Sequence, residues 1–265
     1  GIQQAARLPR VESLNLSRLS FTSAPFVSLR ELPKLRKLLL TTARFPGISC
    51  LTEISQLPYV EELWLNETLI MDDDLAGLRG MPNLRELHLD ATQLTDAVFK
   101  HLALLPQLEV LTISKTNITS KGLKTLCGVT DSRLRVLDVH QTFAGQNGFA
   151  ELDGLAALED LDASQAQVTD QSLRGWKSPP NLKRLVLALN SFTNVSLPGI
   201  LGTPSLEELH LKRVVGVNDT GLNHIVKKQS LRLVYLDNSG VTSQGAQQLK
   251  KMMPSTKVGF DGAVH

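Results

Sequence analysis

One six-residue pattern constrains this chain more than any other feature. Leucine or valine stands at its first position, with further apolar residues at the fourth and sixth. The copies read LRKLLL from Leu35, VEELWL from Val60, LRELHL from Leu84, LEVLTI from Leu108 and LRVLDV from Leu134. They continue as LEDLDA from Leu158, LKRLVL from Leu182, LEELHL from Leu206 and LRLVYL from Leu231. VESLNL from Val11 precedes them, and TKVGFD from Thr256 is read as a degenerate last copy. Successive starts are 24 to 26 residues apart, and the 49 leucines make up close to a fifth of the 265 residues. A fixed period of this length means that one short unit is restacked along the chain, each unit burying its apolar face against its neighbours.

Each unit reads in two halves. The fourth and sixth positions alternate inward, as in a strand, so the third, fifth and seventh face outward. Later in the unit Thr95-Asp96, Thr119-Ser120, Thr169-Asp170, Asp219 and Thr242-Ser243 read as helix starts, because their oxygens can accept from the free amides of a first turn. Apolar residues then recur three or four apart, as in Val98, Leu102 and Leu105, which predicts short helices. Gly-rich Phe143–Gly154 and the stretch Ser191–Pro198 predict an irregular backing, and Gly128–Arg133 reads as a small insertion. No linker divides the chain, so residues 1–265 are expected to form one domain. Gly1–Arg10 is short for an N-terminal cap, and a piece of a longer protein is expected.

Ten good copies of L-x-x-L-x-L at one period resemble the leucine-rich repeat family over nearly the whole chain. The T-x-I-T-x-x-G-L run from Thr116 to Leu123 resembles the helical-backed subclass, of which ribonuclease-inhibitor-like and F-box-associated repeats are examples. The resemblance implies an α/β solenoid: about eleven parallel strands on a concave face and short helices behind. The ninth position, asparagine in the family, is mostly hydroxyl here: Thr68, Thr92, Thr116, Thr142 and Ser239, with one true asparagine, Asn190. These hydroxyls are expected to bond to a neighbouring repeat's backbone.

Charge and cysteine content narrow the function. Lys plus Arg is 28 and Asp plus Glu is 26, too balanced for a nucleic-acid binder by charge alone. No run of eighteen apolar residues is present, so no membrane span is expected. The start of the chain shows no signal-peptide pattern, and no cysteine-clustered caps appear, so an intracellular setting is favoured. Cys50 and Cys127 are expected to be buried structural thiols. No nucleophile motif, phosphate loop or paired-cysteine metal site is found. No enzyme, cofactor or metal is expected.

The second position alternates in sign: Glu12, Arg36, Glu61, Arg85, Glu109, Arg135, Glu159, Lys183, Glu207, Arg232. Adjacent strands lie about 4.8 Å apart, so this column is read as a register-fixing charge ladder rather than a site. The outward third, fifth and seventh positions carry the candidate site. Their charged members are Lys37, Glu62, Glu86, Asp90, Asp138, Asp160, Asp162, Arg184, Glu208, Lys212 and Asp237, eight acidic and three basic. Such a face would attract a basic partner. Aromatic and imidazole groups share the fifth column: Trp64, His88, His210, Tyr235 and Phe260. Exposed Trp and Tyr are common binding anchors. Partner binding is therefore expected at Glu62, Trp64, Glu86, His88, Asp90, Asp138, His140, Asp160, Asp162, His210 and Tyr235. The partner is expected to be a protein, held by a monomeric array or a subunit of a hetero-complex. The alternative is the substrate-recognition domain of a ubiquitin-ligase-type or signalling protein. A metal or acid–base centre drawn from His88, Asp90, Asp138, His140 and Asp162 is the weaker reading, since an open sheet rarely supplies a convergent pocket.

Overall fold

The inward and outward columns resolve into strands that are mostly three residues long. The computed structural model describes residues 10–21, 26–45, 47–128, 132–146, 149, 152–260 and 262–264. The N-terminal capping question (residues 1–9) and the centre of the 128–133 insertion lie outside them. The chain forms two compact units, residues 1–118 with 131–134 and residues 119–130 with 135–265. In the first unit, β1 (Ser13–Asn15), β2 (Lys37–Leu39), β3 (Glu62–Trp64), β4 (Glu86–His88) and β5 (Val110–Thr112) run parallel in chain order. In the second, β6 (Val136–Asp138), β7 (Asp160–Asp162), β8 (Arg184–Val186), β9 (Glu208–His210), β10 (Leu233–Tyr235) and β11 (Lys257–Phe260) do the same. A short β12 (Ala263–Val264) pairs antiparallel with β11, an element the repeat pattern does not anticipate.

Register follows the leucines. Leu38, Leu63, Leu87 and Leu111 face one another across the first unit, and Leu137, Leu161, Leu185, Leu209 and Val234 across the second. All nine are fully buried, as are the sixth-position residues from Leu40 to Leu236. The last copy is corrected by one residue. Val258 pairs with Val234 and Gly259 with Tyr235, so that repeat begins at Ser255. The slip exchanges the two faces, and Phe260 leaves the fifth column. Gly259 takes its place because a Cβ there would meet the Tyr235 ring at 2.2 Å.

Behind the strands lie α1 (Gly47–Ile54), α2 (Phe99–Leu102), α3 (Ser120–Cys127), α4 (Leu197–Leu201), α5 (Leu222–Ile225) and α6 (Ser243–Met252), several entered through a 3₁₀ turn. Thr95, Thr119 and Thr242 accept the expected capping bonds. Asn218, not Asp219, caps its turn. Thr169 starts no helix among the described residues: its hydroxyl accepts from the Ser172 N–H and its own N–H donates to the Ser172 hydroxyl, cap-like bonds that close only a turn. Of the Phe143–Gly154 stretch, residues 147, 148, 150 and 151 lie outside the described residues and 144–146 form a turn, whereas Asn194–Leu201 is helical. Pro198 sits in the first turn of α4, where its missing N–H costs nothing. Asp72, Asp170 and Asp219 have another role. Each accepts both the N–H and the hydroxyl of the threonine 23 residues on, Thr95, Thr193 and Thr242. Burial raises the Asp170 carboxyl, but the hydrogen bonds from Ser196 and Thr193 outweigh it and hold the group below the usual range.

A second inter-repeat bond lies just after each strand. The eighth residue adopts a left-handed conformation, from Arg18 and Thr42 through Ala91 and Gln165 to Asn238, with φ between 52° and 63°. None of these is glycine, so each carries a steric cost. The turn aims the N–H at the next repeat: Thr42 donates to Asn66, Glu67 to Asp90, Gln165 to Ala188 and Arg213 to Asp237, all at 2.8 Å. The ladder of second-position charges is present too, as Arg36–Glu61, Arg85–Glu109, Arg135–Glu159, Lys183–Glu159 and Arg232–Glu207 pairs. Being exposed, each contributes at most about 1 kcal/mol.

The ninth-position hydroxyls depart from expectation. Thr68, Thr92, Thr116 and Thr142 donate to the carbonyl three residues back in their own repeat. That bond spends the hydroxyl's one proton, and where the oxygen also accepts, as Thr142 does from the Ala144 N–H, the donor lies in the same repeat. Asn190 does bridge: it donates to Ala163 and Leu187 and accepts from the Ala166 and Val168 amides. Asn190→Ala should therefore cost about 2–4 kcal/mol by orphaning four buried groups, against about 1 kcal/mol for Thr142→Val. Urea unfolding checks this; equal losses would contradict it.

Candidate functional site

In the first unit the outward residues of β2 to β5 make one connected cluster. Glu62 and Glu86 are register partners, as are Trp64 and His88. Lys37 bonds Glu62 at 2.5 Å and lies 4.9 Å above the Trp64 ring. The indole Nε1 donates to the same Glu62 oxygen at 2.5 Å, and the ring rests on His88 with centroids 4.1 Å apart. Trp64 is thus half-buried between a cation and an imidazole. Burial raises the Glu62 carboxyl, but the bonds from Lys37 and Trp64 outweigh it and lower its pKa. Among the described residues no such donor meets Glu86; burial and then the facing Glu62 charge raise its pKa.

His88 is 9% exposed, and its proton can be placed. Thr112 Oγ1 lies 2.6 Å from an Asp90 oxygen, and its one proton goes to that carboxylate. The His88 Nδ1 that meets the same hydroxyl at 3.1 Å must then donate. Nε2 is left as a bare lone pair, shielded from water and without a hydrogen-bond partner. Burial, more than any neighbouring charge, lowers the His88 pKa. Asp90 also accepts from the Ser114 N–H and hydroxyl, so its charge is engaged within the protein.

In the second unit Arg184 stands between Asp160 at 2.8 Å and Glu208 at 3.1 Å. His210 bonds Glu208 at 2.5 Å and packs on Tyr235, centroids 4.5 Å apart. Asp138 and Asp162 are register partners. Asp138 accepts from the His140 N–H and ring Nδ1 at 2.9 and 2.8 Å, and Asp162 from Ser164 N–H. Burial, first of all, raises the Asp138 pKa, with Asp162 adding to it. Asp237 is buried and accepts from Gly262.

The sequence-derived residues therefore fall into two groups: Glu62, Trp64, Glu86, His88 and Asp90 in one unit, and Asp138, His140, Asp160, Asp162, His210 and Tyr235 in the other. Lys37, Arg184 and Glu208 stand in the same outward columns, outside the expected set, and make its central ion pairs. Charge and aromaticity do not single out Thr112, although it is the fifth residue of LEVLTI. Cys50 is fully buried, and burial pushes its thiol up to about 11. Cys127 is half-buried. Among the described residues no helix is long and apolar enough to cross a membrane.

Parallel three-residue strands repeating every two dozen residues, backed by short helices, are the leucine-rich repeat fold. Solved structures agree. A leucine-rich repeat protein of Leptospira interrogans is 18% identical, with a TM-score of 0.66, covering 97% of this chain and 68% of its own. An internalin (inlF) from Listeria monocytogenes is 16% identical, with a TM-score of 0.59, covering 97% of this chain and 81% of its own. No protein-family model and no curated protein matches the sequence.

The proton placement is testable. Its folded-state pKa being lowered, His88 contributes stability that is full above the unfolded histidine pKa of about 6.5 and is lost as the pH falls through that value and below it. In an NMR titration the His88 midpoint should lie below that of an unstructured histidine, with proton-free Nε2 at neutral pH. A raised midpoint or an Nε2–H tautomer would contradict the network.

Proposed function

We propose that this chain is a non-catalytic protein-interaction scaffold that binds a basic protein segment on its outward strand face. The observation that carries the proposal is the excess of carboxylates there in each unit. Glu62, Glu86 and Asp90 outnumber Lys37 in the first, and Asp138, Asp160, Asp162, Glu208 and Asp237 outnumber Arg184 and Lys212 in the second. The resident cations are already paired where Lys37 meets Glu62 and Arg184 meets its two partners. Glu86 is left without a strong cation partner, its side chain 44% exposed, beside an indole and an imidazole that offer flat apolar area. A lysine or arginine set between Glu86 and the Trp64 edge would complete this group. In the second unit Asp138 and Asp162 offer the corresponding acidic pair.

We read the two units as parts of one repeat array, because the leucine period crosses from Leu108 to Leu134 with only two extra residues. We place the repeats in the helical-backed subclass on the threonine caps that precede the short helices. Partner capture by a subunit of a larger assembly accords with this reading, since an open strand face rarely encloses a small substrate.

Binding of Lys/Arg-rich peptides, compared with acidic and neutral peptides of equal length, tests this. The basic set should bind more weakly as ionic strength rises from about 0.05 M to 0.5 M. Trp64→Ala, and the combined Asp138→Asn, Asp160→Asn and Asp162→Asn variant, should each lose at least about tenfold in affinity. Unchanged affinity in both would remove this face from consideration.

A further inference from the structure

We propose that Glu62, Glu86 and His88 form a binding site for a divalent transition-metal ion of the zinc class on the outward face of β3 and β4. One atom from each residue can be chosen so that all three lie within 4.8 Å of one another. Two carboxylates face each other across adjacent strands, an arrangement that like charge makes costly unless a cation joins them. The stronger sign is the imidazole. Its Nδ1 donates to Thr112, which is held in turn by Asp90, so the ring is oriented by a second layer of bonds. Its Nε2 is an unused lone pair on a residue nine-tenths buried, solvent-excluded and 3.8 Å from Glu86 Oε2. A buried nitrogen acceptor without a donor is a cost that a metal ion removes.

The donor set, one imidazole nitrogen and two carboxylate oxygens, is hard-to-borderline and suits Zn²⁺ or its neighbours rather than a soft thiophilic ion. Metal–ligand distances of about 2.0–2.2 Å require the atoms to draw together, and the exposed Glu86 side chain is the one free to move. Nε2 carries no proton, so His88 binds without releasing one. Lys37 is the competitor. Both its bond and that of Trp64 fall on the same Glu62 oxygen, Oε1, and an ion binds either through the other oxygen or by displacing the ammonium. Open positions on the ion would face solvent, where a partner's side chain can complete the coordination. The site stands independently of the basic-segment proposal.

The test uses the whole chain with Zn²⁺ alone, and Co²⁺ as a spectroscopic substitute. Calorimetry should give saturable binding of one equivalent. Affinity should fall at least tenfold in both Glu86→Gln and His88→Gln, with no change in Glu109→Gln or His140→Gln. Zinc should shift the His88 Nε2 resonance in NMR spectra and leave that of His210 in place. No saturable binding up to about 1 mM, or affinity equal in all four variants and wild type, would overturn the proposal. The peptide measurements above contain no metal, so each proposal fails on its own evidence.

Discussion

Every other feature of this protein depends on the backbone bonds that join one repeat to the next. Strands β1 to β10 are only three residues long, too short to hold a sheet by themselves. The ladder is extended past each strand by two further amides. The sixth-position N–H reaches the next strand's last carbonyl, as Leu40 does to Trp64 and Leu65 to His88, at 2.8 Å. The left-handed eighth residue, from Arg18 to Ala91 in the first unit and from Gln141 to Arg213 in the second, then supplies one more bond to the following repeat. The strain of that turn recurs in each copy and is held in place because the buried leucines on one side and the neighbouring carbonyl on the other over-determine it. With this ladder fixed, a side chain at the fifth position of one repeat must sit beside the fifth position of the next. The Trp64–His88 and His210–Tyr235 stacks are consequences.

Much of this was legible in the sequence, and the reason is periodicity. A buried leucine column at 24 to 26 residues leaves one register that keeps every apolar side chain inward, so the strands and their facing could be read directly. The failures have physical causes as well. The left-handed turn carries Thr, Glu, Ala, Lys, Gln, Leu, Arg and Asn, and with no glycine to mark it the sequence is silent. TKVGFD was misaligned by one residue because Gly259 replaces a side chain where the Tyr235 ring needs the space. Thr169 makes cap-like bonds with Ser172, but they close a turn and no helix follows among the described residues. Asp170 and Asp219 read as helix-start residues, whereas their side-chain bonds run to the next repeat.

The candidate face carries two kinds of acidic group that composition cannot separate. Asp90 and Asp237 are engaged by the protein's own donors, and Asp160 and Glu208 are balanced by Arg184. Glu86, Asp138 and Asp162 carry charge less fully matched by cations. Whether a carboxylate is structural or available therefore depends on which hydroxyls and amides stand one repeat away, a relation of about 24 residues that only the fold reveals. His88 illustrates the point most sharply: the protein holds one nitrogen through Thr112 and Asp90 and leaves the other without a donor.

Native-state hydrogen exchange at the sixth- and eighth-position amides tests the inter-repeat ladder most directly. Leu40, Thr42, Leu65, Glu67, Leu89 and Ala91 in the first unit, with Ala163, Gln165, Leu187 and Leu189 in the second, should exchange at least about a thousandfold more slowly than unstructured amides. Within each unit the two positions should be protected together. Eighth-position amides that exchange at the unstructured rate while the strands stay protected would contradict the account.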